Sequence, residues 1–191
     1  MPDGRRLVLV VGASGVGKDS LLDGARAVFR ADPNVAFVRR VITRPAGSGG
    51  EGHVAASADA FAAMCAAGAF AIHWPANGLR YGLPRRMDDD LAAGRVVVAN
   101  VSRQVLDAAR RRYPGLTVCE VTASTDTLRA RLAARGRESP AEIEARLARV
   151  GAPTTGHDVV AIANDGDLAL AVAAFARLID QLLPASAKPA T

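Results

Sequence analysis

One glycine-rich stretch near the amino terminus has the residue types and spacing that phosphate binding requires. It reads Gly12-Ala13-Ser14-Gly15-Val16-Gly17-Lys18-Asp19-Ser20. Gly12, Gly17 and Lys18 satisfy the pattern of glycine, four residues, glycine and lysine that is typical of phosphate-binding loops. Glycines let the backbone amides turn towards an anion, and the lysine ammonium binds the β- and γ-phosphates of a nucleotide. The stretch therefore predicts a nucleotide-binding loop.

The residue after the lysine departs from this pattern. Phosphate-binding loops usually place a serine or threonine there, whose hydroxyl binds magnesium. This chain has Asp19 instead, and its hydroxyl comes one place later at Ser20. A carboxylate beside a triphosphate is repelled unless a cation lies between them. We therefore expect Asp19 to take part in binding Mg²⁺, directly or through water; the alternative is an acidic residue that only interacts with the helix dipole.

Arginine supplies the second chemical signal. Guanidinium groups bind phosphate oxygens in pairs and stabilise the charge that spreads over a phosphoryl group during transfer. Three clusters are present: Arg39, Arg40 and Arg44; Arg135 and Arg137; and Arg146 and Arg149. Most of the 24 basic residues are expected to lie on solvated surfaces. Four stand out because each lies in or beside a predicted loop or helix end, namely Arg44, Arg135, Arg137 and Arg146.

The three histidines do not predict a metal site or a nucleophile–histidine pair. His53, His73 and His157 share no regular spacing with acids or cysteines. His73 precedes Trp74 at the end of a predicted strand, where it could contact a substrate or equally be a packed core residue. His157 is expected in a surface loop.

Charge and composition indicate which kinds of molecule the protein binds. The net charge of +5 suits nucleic acid or a small substrate with several phosphates, and an aromatic content of only 4% favours the small substrate because base-stacking residues are scarce. The chain has 191 residues, of which 50% are hydrophobic, without a run of membrane-spanning length, so no membrane partner is expected. Cys65 and Cys119 lie in apolar patterns and are expected to be reduced core residues of a cytoplasmic protein.

The elements that must position these residues alternate between strands and helices. Strands are predicted at 7–11, 70–74, 96–101, 116–121 and 159–163, with a further extended segment at 35–43. Ser57, Ser124 and Ser139 are expected to cap helices, and Asn77-Gly78 to form a hairpin turn. The alternation predicts a three-layer α/β fold with a parallel sheet. Residues from about 35 to 84 break the rhythm and are expected to form a substrate-side insertion.

Several motifs, taken in order, resemble the guanylate kinase fold. They are the phosphate loop, Thr43-Arg44-Pro45, Trp74 with Asn77-Gly78 and Tyr81-Gly82, Arg135-Gly136-Arg137-Glu138, and Asn164-Asp165. The resemblance spans about residues 7–183 and implies a P-loop kinase with a parallel central sheet and a lid at about 135–150. We expect one domain over 1–184, with its core at 5–34 and 94–184, followed by a disordered tail at 185–191.

The groups that guanylate kinases use to read guanine are missing. In guanylate kinases a second arginine follows the threonine-arginine-proline motif, and this chain has Ala46 there. His73 replaces their glutamate before tryptophan, and Leu83 replaces their serine or threonine after tyrosine-glycine. A site built to hydrogen-bond a base edge loses affinity when such groups are absent.

The chain instead resembles the ribose 1,5-bisphosphate phosphokinase family, whose motifs occur here as Gly17-Lys18-Asp19-Ser20, Ile42-Thr43-Arg44, Glu51-Gly52-His53, Trp74 to Leu79, and Ala99 to Arg103. This resemblance implies ATP-dependent conversion of ribose 1,5-bisphosphate to 5-phosphoribosyl 1-diphosphate in phosphonate breakdown.

The resemblance also implies roles for individual residues. Loop residues 12–20 are expected to bind ATP and Mg²⁺, with Asn164 near adenine. The expected catalytic residues are Lys18, Arg44, Arg135, Arg137 and Arg146. Arg44 and Tyr81 are expected to hold an acceptor phosphate. Asn100, Ser102 and Arg103 follow a central strand and are expected to bind the ribose or the second phosphate, although Ser102 also fits a helix cap. The other predicted substrate contacts are Arg40, His73 and Asn77.

Two other functions remain open at this stage. The first is a guanylate or other nucleoside monophosphate kinase, in which Asn77, Asn100 and His73 read a base. The second is a non-catalytic interaction module of the guanylate kinase type, although such modules typically lose the phosphate loop. Nucleic-acid binding has only the charge in its favour. A phosphorylated sugar is the expected partner, and a homodimer is left open.

Overall fold

The computed structural model describes residues 3–45, 52–136, 138–148 and 151–184. The strands are β1 (Leu7–Gly12), β2 (Val35–Phe37), β3 (Val41–Ile42), β4 (Val54–Ala55), β5 (Phe70–Ala76), β6 (Leu79–Pro84), β7 (Val96–Asn100), β8 (Thr117–Thr122) and β9 (Val159–Ala163). The helices are α1 (Lys18–Val28), α2 (Ala58–Ala66), α3 (Met87–Ala92), α4 (Leu106–Arg112), α5 (Thr125–Ala134), α6 (Pro140–Leu147) and α7 (Leu168–Leu182). A 3₁₀ turn, Arg103–Val105, precedes α4.

The main sheet is parallel and has the strand order β2-β7-β1-β8-β9. Residues 7–11 of β1 are fully buried because helices cover both faces of the sheet. Val8 and Val10 pack on the side of α1 and α7, whereas Leu7 and Leu9 pack on the side of α3 and α4. The three-layer α/β fold with a parallel central sheet is therefore confirmed.

A second sheet, with the order β4-β3-β6-β5, lies in the part of the chain that breaks the strand–helix alternation. Strands β5 and β6 form an antiparallel hairpin, and its turn is the predicted Asn77-Gly78 pair, with φ angles of 50° and 72°. Helix α2 packs Phe61 against Phe70 and Val41 of this sheet. The hairpin turn was predictable because asparagine and glycine both tolerate left-handed backbone conformations.

The extended segment predicted at 35–43 is split between the two sheets. Val35–Phe37 pairs with β7 in the main sheet, and the amide of Val38 still donates to the carbonyl of Val98 at 2.8 Å. Strand β3, at Val41–Ile42, pairs with β4 and β6 instead. The chain leaves the main sheet at the intervening arginines, whose charge disfavours a doubly covered sheet. The expected insertion from about residue 35 thus shares its first residues with the main sheet.

The predicted helix caps are confirmed. The Ser57 hydroxyl accepts from the amide of Ala60 at 3.1 Å, and the Ser124 hydroxyl accepts from the amide of Thr127 at 3.2 Å. Ser139 and Glu142 form the reciprocal pair of hydrogen bonds of a capping box at the start of α6. The expected lid lies partly outside the described residues, and the expected tail at 185–191 lies wholly outside them.

Parallel strands bring their carboxyl ends to one edge of the main sheet. Gly12, Asn100, Thr122 and Ala163 end four neighbouring strands there. This edge is where ligands bind in open α/β sheets. Within the described ranges, no helix has both the length and the apolar character needed to cross a membrane.

The two cysteines should differ in reactivity. Cys119 in β8 is fully buried, and burial, with a smaller effect of the Glu120 charge, raises the pKa of its thiol to about 12. Because the thiolate is the reactive form, we expect iodoacetamide to modify partly buried Cys65 and to spare Cys119 in the folded protein. Peptide mass spectrometry measures this, with labelling in denaturant as the control; rapid native labelling of Cys119 would contradict the packing.

Candidate active site

The predicted phosphate loop links β1 to α1, and its shape requires glycine. Gly12, Gly15 and Gly17 have φ angles of 150°, 90° and 94°. A Cβ atom on Gly12 would lie 2.5 Å from the carbonyl oxygen of Val121, and one on Gly17 would lie 2.4 Å from Asn164 Nδ2. Both contacts are closer than van der Waals packing allows, so the neighbouring strands fix the loop where it passes them.

Asn164 lies beneath this loop rather than at its mouth. Its side chain is 3% exposed, and Nδ2 donates to the carbonyl oxygen of Val16 at 2.8 Å. Arg131 Nη1 donates to the same carbonyl at 3.3 Å. The Val16 side chain is itself buried in the core, so this residue serves the loop through its backbone. In the structure Asn164 supports the loop, and its contact with adenine stays a prediction.

Lys18 holds its charge over the loop. Its Nζ atom donates to the carbonyl oxygens of Gly12 at 2.7 Å and Ala13 at 2.9 Å. Since α1 begins at Lys18, the positive end of the helix dipole lies beside the ammonium group. Both positive features face the same cleft, which is the arrangement that the sequence pattern predicts for binding polyphosphate.

A cleft of about 420 Å³ lies between the loop and the second sheet. Most of the predicted site residues line it: Gly12, Ser14, Gly15, Gly17, Lys18, Asp19, Arg40, Asn77, Tyr81, Asn100, Ser102, Arg103 and Arg135. A neighbouring cavity of about 540 Å³ includes Ala13 and Arg146, and shares Ser14, Asn77 and Arg103 with the cleft. The structure thus gathers residues from six separate segments of the sequence at the carboxyl edge of the main sheet.

Among the described residues, Val16 and Asn164 are buried, and three further predicted site residues line neither this cleft nor the neighbouring cavity. His73 is exposed, because alternate residues of β5 face opposite sides and Trp74 takes the cleft side. Ser20 is exposed on α1. Arg44 lines a different cavity with Thr43, Pro45, residues 55–58 and Gly78. Arg137, expected to be catalytic, and Arg149 lie outside the described residues.

Arg44 contacts His53 at the edge of the second sheet. Its Nη2 atom lies 3.5 Å from His53 Nδ1, and His53 Nε2 lies 3.2 Å from the Arg44 carbonyl oxygen. Thr43 is fixed by backbone and side-chain hydrogen bonds with Arg80 at 3.0 and 2.8 Å. Arg44 therefore lines a cavity other than the main cleft, and its contact with an acceptor phosphate stays a prediction.

An aromatic stack forms the far wall of the cleft. The rings of Trp74 and Tyr81 stack across the β5–β6 hairpin with centroids 5.5 Å apart and planes at 9°. The Arg40 guanidinium carbon lies 5.3 Å from the Tyr81 ring centroid, a cation–π distance. Trp74 lines the cleft but was not among the predicted site residues, although the alternation of buried residues in β5 could have indicated its side.

The phosphate loop contributes one acidic side chain, Asp19, to the cleft. Asn100 Nδ2 donates to its Oδ1 at 3.5 Å, which joins the start of α1 to the end of β7. Across the ranges that the structure covers, no three histidine, cysteine, aspartate or glutamate side chains converge to bind a metal. One carboxylate is nevertheless an adequate protein contribution for Mg²⁺, which kinases bind chiefly through phosphate oxygens and water.

Helix α6, which lies within the expected lid, contacts the phosphate loop through Arg146. Arg146 Nη1 donates to the Ser14 hydroxyl at 2.8 Å, and its Nη2 atom forms an ion pair with Glu138. Arg129 pairs with Glu144 at 2.6 Å and so fastens α5 to α6. Arg146 is thereby positioned at the rim of the phosphate loop, and Arg135 lines the main cleft.

Comparison with known proteins gives a consistent set of relatives. The chain is 49% identical over 169 residues to ribose 1,5-bisphosphate phosphokinase PhnN of Brucella melitensis, covering 88% of both chains. It is 50% identical over 162 residues to the protein of that name from Rhodopseudomonas palustris, covering 85% and 81%. For the one from Azotobacter vinelandii the identity is 49% over 178 residues, covering 92% and 96%. A scan against protein-family models finds no match.

Solved structures share the fold at low sequence identity. Guanylate kinase from Anaplasma phagocytophilum superposes with a TM-score of 0.66 at 18% identity, covering 98% of this chain and 91% of that one. A sugar kinase from Janibacter superposes with a TM-score of 0.51 at 17% identity, covering 94% and 98%. These likenesses show the shared fold alone, and at such identities they carry no information on the substrate.

The loop geometry predicts a large effect of one added methyl group. In Gly17→Ala the new Cβ would clash with Asn164 in a backbone conformation that costs alanine about 1 kcal/mol or more, so we expect ATP affinity to fall roughly tenfold or more. The matched control is Gly166→Ala, since a Cβ there meets nothing within 4 Å. Calorimetric titration with ATP measures both, and equal affinities for the two variants would contradict the assigned loop geometry.

Proposed function

Because this chain belongs to the ribose 1,5-bisphosphate phosphokinase family, we propose that it transfers the γ-phosphoryl group of ATP to the 1-phosphate of ribose 1,5-bisphosphate. The products are ADP and 5-phosphoribosyl 1-diphosphate. The observation that carries the proposal is the 49% identity over 88% of both chains with a relative of that name. A cleft with a phosphate loop at one end and fixed arginines at the other supports it.

The loop end of the cleft suits the nucleotide. Backbone amides of the glycine-rich turn, the start of α1 and the Lys18 ammonium supply positive potential around the β- and γ-phosphates. Asn164 keeps this surface in shape from below. The substrate sites for ATP are therefore proposed at residues 12–19, with Val16 acting only through its backbone.

The opposite end of the cleft suits a sugar carrying two phosphates. Arg40 and Arg103 supply guanidinium groups, and Asn77, Asn100 and Ser102 offer amide and hydroxyl groups to the ribose. The volume of about 420 Å³ accommodates a small phosphorylated sugar beside the terminal phosphate of a nucleotide. Tyr81 contributes a rigid ring against Arg40.

Catalysis by this site needs positioning and charge stabilisation rather than a general base. The attacking oxygen belongs to a phosphate that is already ionised at neutral pH, so no proton has to be removed from it. Lys18, Arg135 and Arg146 are proposed to surround the phosphoryl group in transfer, where charge spreads over its oxygens. The hydrogen bond from Arg146 to Ser14 supports this, because it brings a lid arginine to the loop.

Asp19 and the phosphate oxygens are proposed to hold Mg²⁺. The ion neutralises phosphate charge and orients the β- and γ-phosphates when it is bound. Asp19 lines the cleft beside Lys18, and its hydrogen bond from Asn100 orients one carboxylate oxygen.

We further propose one domain over residues 1–184, in which the second sheet is the substrate-side part, and a cytoplasmic location. The location is supported by the two free cysteines, which suit a reducing compartment.

A substrate panel tests the reaction. We expect rapid ATP consumption with ribose 1,5-bisphosphate and little with GMP, AMP, CMP or UMP, because the cleft lacks the side chains that guanylate kinases use to bind guanine. Lys18→Ala should lower turnover by roughly 100-fold or more through loss of the charge on the transferring group. Arg30→Ala, which removes an exposed positive charge just beyond the carboxyl end of α1, is the matched control. A preference for GMP would favour the nucleoside monophosphate kinase.

A second variant tests the role of Asp19. Asp19→Ser should raise the Mg²⁺ concentration needed for half-maximal rate and lower turnover, since the carboxylate that offsets the cation is lost. Asp23→Ser removes an exposed acid one turn further along the same helix and should change neither quantity. The metal role is wrong if the Mg²⁺ dependence and turnover of Asp19→Ser equal those of the unmodified protein.

A further inference from the structure

A buried acid lies in the main sheet close to the cleft. Glu120 occupies the fourth position of β8, opposite Val11 of β1 and Ala161 of β9, and is 2% exposed. A carboxylate at such depth is destabilising unless charged or polar donors surround it. The hydrogen-bond donors around the carboxylate therefore indicate the role of Glu120.

Three donors meet the Glu120 carboxylate, from two separate segments. Arg103 Nη2 donates to Oε1 at 2.8 Å, and the Thr154 hydroxyl donates to the same oxygen at 3.0 Å. The backbone amide of Thr154 donates to Oε2 at 2.9 Å. The carboxylate thus joins the 3₁₀ turn after β7 to the segment that follows α6, and it does so inside the sheet edge where the cleft lies.

Arg103 is the member of this network that reaches the cleft. Its side chain is 31% exposed and lines both the 420 Å³ cleft and the adjoining 540 Å³ cavity. Its Nε atom is buried and has no hydrogen-bond partner in the described part of the chain. A surface arginine normally samples many rotamers, and binding then costs the entropy of choosing one. The bond to Glu120 removes most of that freedom in advance.

We propose that Glu120 is a positioning residue for the acceptor: it holds the Arg103 guanidinium in the orientation that binds a phosphate group of the sugar bisphosphate. Through Thr154 it also holds the segment that precedes β9. This inference rests on the proposed function and names a determinant of its acceptor site. Glu120 itself does not touch the substrate.

The chain contains a matched ion pair that lies away from the cleft. Arg110 of α4 pairs with Asp158 through two hydrogen bonds of 2.8 and 2.9 Å, and the Asp158 side chain is 11% exposed. This pair joins the same two parts of the chain, the region after β7 and the segment before β9, at the opposite edge of the main sheet. A variant of this pair therefore distinguishes the effect of losing an ion pair from the effect of losing the orientation of Arg103.

The test is steady-state kinetics of Glu120→Gln, a variant of nearly equal shape. We expect the KM for ribose 1,5-bisphosphate to rise roughly tenfold or more, because an amide holds the guanidinium less firmly. The KM for ATP should stay within about twofold, since the loop is untouched. Asp158→Asn should lower the melting temperature and leave both KM values within about twofold.

A double-mutant cycle with Arg103→Met shows whether Glu120 acts through Arg103. Once Arg103 is absent, Glu120→Gln should produce no further rise in the KM for the sugar bisphosphate. Additive effects would overturn the positioning role, and so would an unchanged KM in folded Glu120→Gln or an equal rise for ATP.

Binding without turnover keeps this inference separate from the proposed function. The shift in melting temperature caused by ribose 1,5-bisphosphate alone should be large for the unmodified protein and Asp158→Asn, and small for Glu120→Gln. If the unmodified protein binds the sugar but transfers no phosphoryl group, the proposed function fails and a reduced shift in Glu120→Gln still supports the positioning role. Absence of any shift in the unmodified protein overturns both.

Discussion

The close approach of Asn164 to Gly17 is the constraint on which the site depends. The Asn164 amide group bonds to the carbonyl of Val16 at 2.8 Å, and its backbone amide donates to Thr122 at 2.8 Å. The ends of β8 and β9 are thereby tied to the loop that follows β1. Because Gly17 carries no Cβ, this contact is possible without displacing the loop. The phosphate-binding surface is thus an extension of the sheet rather than a free loop.

Positive charge in the cleft is held in place by neighbouring groups. Lys18 rests on two loop carbonyls, Arg40 on the Tyr81 ring, and Arg103 on Glu120. Arg146 is held by Ser14 and Glu138. Fixed cations lower the entropy cost of assembling a transition state in which charge spreads over the phosphoryl oxygens. The same acids and rings reduce repulsion among the arginines before substrate binds.

Local sequence patterns were sufficient to predict the fold, whereas contacts between distant segments determine where several site residues lie. The phosphate loop, the serine caps and the Asn77-Gly78 turn depend on neighbouring residues and were predictable. The turn of Arg44 towards His53, the position of Asn164 and the pairing of Glu120 with Arg103 depend on which segments the fold brings together. Asn164 contacts Val16 although the two residues lie 148 positions apart. Spacing along the chain contains no signal for such a contact. Alternation along β5 is sufficient to place His73 and Trp74 on opposite faces of the strand. Which of the two lines the cleft follows only once the strand is known to lie beside it.

The identity of the phosphoryl acceptor is tested most directly with ATP that carries oxygen-18 in its γ-phosphate, by locating the label in the product through the isotope shift of its phosphorus NMR signals. The proposed site predicts that the oxygen-18 shift appears at the terminal phosphate of a diphosphate attached to carbon 1 of 5-phosphoribose, and that the signal of this phosphate is split by coupling to the phosphate beside it, which carries no label. Label found in GDP when GMP is offered, or only in inorganic phosphate, would contradict a sugar bisphosphate as the acceptor.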